Sequence, residues 1–125
     1  MGESPRSGVI SFAEARTHIP GPAGEHAVAF LKRGSLDVRL AAAPRVPPTE
    51  STPHAQDEVY VVVRGRGVLF HDGRRDRFEA GDLLFVAAGT EHRFEDYSDD
   101  LAVWVIFYGP QGGEAPASTS SPRSG

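Results

Sequence analysis

Glu58–Phe78 reads EVYVVVRGRGVLFHDGRRDRF, two apolar β-branched and aromatic runs cut by Gly65-Arg66-Gly67 and followed by Asp72-Gly73. Val, Tyr and Phe fit a pleated, half-buried surface better than a helix, so both runs read as strands. Asp-Gly between Val68–His71 and Arg74–Phe78 is the two-residue signature of a type I′ hairpin, whose central residues both need positive φ. Outward from this hairpin the signal repeats. Leu36, Val38 and Leu40 alternate with Asp37 and Arg39, Leu83–Val86 follows the turn pair Gly81-Asp82, His92–Glu95 alternates, and Leu101–Tyr108 (LAVWVIFY) is a long apolar strand. On that last strand Trp104, Ile106 and Tyr108 share one face and Val103, Val105 and Phe107 the other. One set fills the interior, and the other packs against a partner or the N-terminal segment. Only Ser11–Arg16 looks helical, with Ser11 as cap and Glu14 at capping-box distance. Six to eight short strands at spacings of about ten residues predict an all-β sandwich or small barrel with a short N-terminal helix. Ala41–Pro53 holds four prolines and reads as a loop.

The rest of the chain limits what such a domain can do. It has 125 residues, 17 acidic and 13 basic side chains, a net charge of −4 and no cysteine. That length holds one domain. Residues 9–108 form it. Residues 1–8 and 109–125 lack large apolar side chains beyond Met1 and are expected to be disordered. The acidic balance argues against nucleic acid as a partner, because phosphate binding needs clustered Lys and Arg. Without cysteine there are no disulfides, thiolate catalysis or iron–sulfur clusters. No apolar run nears the roughly 18 residues of a membrane span, and Met1–Gly8 has no signal-peptide core, so a cytoplasmic location is expected.

His54, Glu58 and His92 stand out as a possible metal set. Two imidazoles and one carboxylate suit Zn, Fe, Mn, Ni or Cu and leave coordination positions open. In a regular strand the α-carbons of His54 and Glu58 would lie about 13 Å apart, so Ala55–Asp57 must curl for both to reach one ion. The alternative for each residue is a solvated Glu opening an apolar strand, or a His satisfied in a core or at the surface. The arginines around Asp72 and Asp76 read as a solvated hairpin end, and His71 as exposed. Gly65-Arg66-Gly67 has no following helix and is not a phosphate loop. No nucleophile motif of the Gly-x-Ser-x-Gly type is present.

These residues resemble the two motifs of the cupin family. Glu58 and Gly65 stand at the spacing of the first motif, G(x)5HxH(x)3-4E(x)6G, with His54 ahead of them. Gly81, Gly89 and His92 match the second, G(x)5PxG(x)2H(x)3N. The likeness covers residues 35–108. It implies a double-stranded β-helix (jelly-roll) barrel, often a homodimer, holding one divalent transition metal through His54, Glu58 and His92. Three departures from the pattern matter. Thr52 stands where the first His belongs, Ala87 replaces the Pro and Asp96 the Asn. Gln56 could take the second His position in another register, which the Glu58–Gly65 spacing disfavours. It is expected beside the metal or the substrate, with Thr52, Tyr60 and Phe94 completing the pocket. The function implied is a metal-dependent enzyme on a small organic substrate, with dioxygenase-type chemistry first. The alternatives are a cupin isomerase or lyase and a non-catalytic or metal-free small-molecule-binding barrel. A regulatory sensor has less support, since no helix-turn-helix or basic patch is present.

Overall fold

The computed structural model describes residues 7–44 and 55–115. Ser11 caps a single helical turn, α1 (Phe12–Ala15), by accepting from the Glu14 amide at 3.0 Å, and a 3-10 turn follows at Arg16–His18. Eight strands then follow in chain order: β1 (Ala27–Arg33), β2 (Leu36–Ala42), β3 (Asp57–Arg64), β4 (Arg66–His71), β5 (Arg74–Glu79), β6 (Leu83–Val86), β7 (His92–Glu95) and β8 (Ala102–Tyr108). All pairings are antiparallel. They form two sheets, a five-stranded one ordered β1-β2-β8-β3-β6 and a three-stranded one ordered β5-β4-β7. The chain crosses repeatedly between them, as the expected jelly roll requires. The two sheets face each other and do not join into one hydrogen-bonded ring.

The turns obey the local sequence. Asp72 and Gly73 both have positive φ (50° and 79°), as the hairpin reading demands. Asp96, at the Asn position of the second motif, sits at φ 48°, a left-handed conformation that Asp tolerates nearly as well as Asn. Gly65 is at φ 90°, and a Cβ there would lie 2.7 Å from the Leu101 α-carbon. Glycine is required at that position by conformation and by close backbone approach.

Strand register sets three inward rows on the five-stranded sheet, because residues directly opposite share a face. Asp37, Phe107, Glu58 and Val86 form the first; Arg39, Val105, Tyr60 and Leu84 the second; Ala41, Val103 and Val62 the third. Val103, Val105 and Phe107 are thus the interior set of β8, and Trp104 lies outside, edge-on to Phe30 of β1 at 6.3 Å. The same register turns Val38 and Leu40 outward and Asp37 and Arg39 inward. Leu40 is nevertheless fully buried.

Three expectations change. β1 carries no period-2 signal and interrupts its register between Ala29 and Leu31, so it is added to the strands read from sequence. β2 extends through Ala42 into the expected proline-rich loop, of which residues 45–53 lie outside the described residues. Residues 109–115, assigned on composition to the tail, are held by backbone bonds. The Glu114 amide donates to Asp57 Oδ2 at 3.0 Å, the Gly112 amide to the Ala55 carbonyl at 2.7 Å, and the Gly109 amide to Ser35 Oγ at 3.0 Å. Main-chain N–H groups order this stretch without apolar burial.

Candidate functional site

Glu58 and His92 come from opposite sheets and meet inside. β3 presents Glu58 and Tyr60 two residues apart on its inward face, and β7 presents His92 and Phe94 on its own. Glu58 Oε1 lies 3.2 Å from His92 Nε2, with the two residues 2% and 0% exposed. Tyr60, also 0% exposed, brings its hydroxyl to 3.3 Å from the same Nε2. The other ring nitrogen, Nδ1, donates to the Thr90 carbonyl at 2.7 Å. That bond fixes the ring and directs Nε2 into the interior, the arrangement that orients a metal-binding imidazole.

The cluster's electrostatics follow from its burial. Desolvation alone would push His92 down, but the hydrogen bonds its ring donates to Glu58 and to the Thr90 carbonyl, with the Glu58 charge, outweigh it and hold His92 above its ordinary value. Burial, with the Glu58 charge and hydrogen bond behind it, drives the Tyr60 phenol far above its usual range. Tyr60 therefore remains a protonated hydrogen-bond donor at any working pH.

The donor set can be tested against a metal on distance. At bond lengths of about 2.0–2.1 Å, neighbouring ligand atoms of a tetrahedral or octahedral ion lie about 2.9–3.4 Å apart. The 3.2 Å between Glu58 Oε1 and His92 Nε2 falls in that interval, so these two side chains fit adjacent positions on one ion. His54 and Thr52 lie outside the described residues. Among the described residues no three His, Cys, Asp or Glu side chains form a metal-binding group. The chain does bend at Ala55 and Gln56 before β3 begins, where a curl ahead of Glu58 is needed.

The remaining candidates divide. Tyr60 and Phe94 do flank the cluster, with ring centroids 4.9 Å apart, and Phe94 packs edge-on against Phe78 at 5.5 Å. Gln56 is not brought to it. Its amide donates to the Ser35 and Gly109 carbonyls at 3.1 and 2.9 Å, so both N–H groups are engaged by backbone acceptors. His71, read as exposed, is half-buried and lies 2.6 Å from Asp76.

Two contributors were not apparent in the sequence. Asp57 is buried and accepts from the amides of Ala88 and Glu114 at 2.9 and 3.0 Å, tying the start of β3 to the loop that leads to His92. Bonds from the Glu114 and then the Ala88 amide hold its carboxyl below the usual range. Asp37 and Arg39 face inward at the same end, paired through two 3.0 Å bonds, with the guanidinium 5.9 Å from the centre of the Phe107 ring. Alternation showed that Asp37 and Arg39 share a face; which face is interior is set only by pairing with β8.

Residues 43–108, more than half the chain, match the family described as Cupin domain. The chain belongs to the cupin family. An uncharacterized protein of Streptomyces coelicolor is 37% identical to it over 82 residues, spanning 66% of this chain and 78% of that protein. The HTH-type transcriptional activator RhaS of Shigella sonnei is 29% identical over 85 residues, which is 66% of this chain but 30% of that protein. The crystal structure of a cupin protein from Bacteroides fragilis superposes with a TM-score of 0.58 at 19% identity, covering 99% of both chains. That likeness is one of fold. Among the described residues of this cupin no helix is long and apolar enough to cross a membrane.

Proposed function

We propose that this cupin is a metal-dependent enzyme acting on a small, largely apolar organic molecule, with dioxygenase-type chemistry first. The observation that supports the reading is the 3.2 Å convergence of Glu58 Oε1 and His92 Nε2 from two sheets, in a buried interior and with His92 Nδ1 fixed by a backbone carbonyl. In this reading His54 is the third protein donor, and Thr52, in place of a fourth, leaves positions for substrate. A divalent transition metal held there supplies Lewis-acid or redox chemistry. The chain's own groups do the positioning. Thr90 holds the imidazole, Asp57 holds the approach to it, and Tyr60 offers one O–H at the edge of the site. Tyr60 and Phe94 present aromatic surface, which favours an apolar substrate over a sugar nucleotide.

A second reading, a metal-free ligand-binding barrel, is favoured by the direct Glu58–His92 contact and by Thr52. Oxygen consumption by the iron(II)-loaded protein with a panel of catechols, enols and thiols separates the two. Turnover that disappears in Glu58→Gln supports the enzyme. Uptake no greater than that of Glu58→Gln with every compound would contradict oxygenase chemistry and leave isomerase, lyase or binding roles.

A further inference from the structure

On the three-stranded sheet Gly67, Leu69 and His71 share one face of β4. Buried Phe78 and Phe94, opposite Gly67 and Leu69, mark that face as the interior one. His71 directly opposes His92 on β7, and Arg74 stands opposite His71 on β5. Residues so opposed hold their Cβ atoms about 4.5–5.5 Å apart, so His71 borders the Glu58–His92 cluster on the inner surface. Exposure rises outward along this face. The side chain of His92 is 1% exposed, that of His71 24% and that of Asp76 69%. The inner surface thus opens to solvent along β5, and His71 lies between that opening and His92.

His71 Nε2 lies 2.6 Å from Asp76 Oδ2. An ionised carboxylate only accepts, so Nε2 carries the proton, and in the neutral ring Nδ1 is an acceptor. Asp76 therefore fixes both the tautomer and the ring. No group among the described residues donates to Nδ1. Arg74 and Asp76, two apart on β5, set opposite charges at the opening, which favours neither an anion nor a cation there. An uncharged O–H group completes this arrangement.

Resting on the reading of Glu58 and His92 as the functional site, we propose that His71 is a substrate-binding residue. Its Nδ1 accepts a hydrogen bond from the hydroxyl of a neutral, apolar molecule, a phenol or an enol, that enters past β5 toward His92. NMR titration of the full chain at pH 8 with phenol and with anisole, its methyl ether, provides the test. Phenol is expected to bind about three- to tenfold more tightly than anisole, the range for one hydrogen bond. His71→Phe is expected to remove that preference and leave anisole binding within about twofold. His71→Gln, which keeps an acceptor, is expected to retain it. A purely structural role would weaken both ligands alike. Equal affinities in the wild type, no binding of phenol up to about 20 mM, or a preference that survives His71→Phe would overturn the proposal. Turnover by the iron(II)-loaded protein without a phenol preference would overturn the His71 contact alone. A preference lost in His71→Phe, with no turnover of any compound, would contradict the enzyme and leave the contact standing.

Discussion

The interior of the barrel has two ends of opposite character. At one, Glu58, His92 and Tyr60 form a buried polar cluster with Asp57 and the Asp37–Arg39 pair around it. At the other, Phe94, Phe78, Leu69, Val62 and Leu101 pack as an apolar core. Tyr60 belongs to both, its ring edge-on to Phe94 and its hydroxyl at His92. The apolar end gains free energy for every group it removes from water. The polar end desolvates a carboxylate and an imidazole, which costs several kcal/mol per charge and is recovered only through their mutual contact and hydrogen bonds. Stability therefore resides at one end, and the other is maintained against its own desolvation cost.

Paired substitutions can break this comparison. Phe94→Ala removes a buried ring between Tyr60 and Phe78 and should cost about 3–5 kcal/mol in urea unfolding. Glu58→Gln keeps the volume and a hydrogen-bonding group and should cost only about 1 kcal/mol. Equal losses from the two would abolish the distinction.

Asp57→Ala comes next in size. It leaves the Ala88 and Glu114 amides without their acceptor, and about 1–3 kcal/mol should be lost. Hydrogen exchange should speed up at both amides. Unchanged exchange at Ala88 would mean that Asp57 does not hold the loop before His92.

The smallest effect concerns pH. Hydrogen bonding to Arg39, offset in part by burial and aided by its charge and that of Lys32, holds Asp37 below its ordinary value. A carboxyl depressed in the folded state adds stability above its unfolded pKa, near 3.9. That increment disappears as pH falls through the folded value. Asp37→Asn should therefore flatten the acid limb below about pH 4 by roughly 0.2–1 kcal/mol, the range for part-exposed ion pairs. An identical acid limb would leave this pair without a role in stability.

Much of the molecule was legible because its signals are local. Asp72-Gly73 required a conformation few other pairs adopt, Ser11 capped one turn, and the spacings around Glu58, Gly65, Gly89 and His92 lay within single strands and turns. What failed depended on distant partners. β1 bulges and so loses the alternation that marks a strand. Asp37 and Arg39 alternate with Leu36, Val38 and Leu40, yet both faces of β2 are covered, so polarity alone assigns the wrong side to the interior. Asp57 and residues 109–115 are joined by backbone amides, which no side-chain pattern records. Gln56 was drawn to carbonyls more than twenty residues away.

Metal content by mass spectrometry, on protein purified without chelator and compared with His92→Ala, tests the central claim most directly. The account predicts close to one equivalent of a divalent transition metal in the wild type and its loss in the variant. Less than a tenth of an equivalent in the wild type, or equal amounts in both, would contradict it.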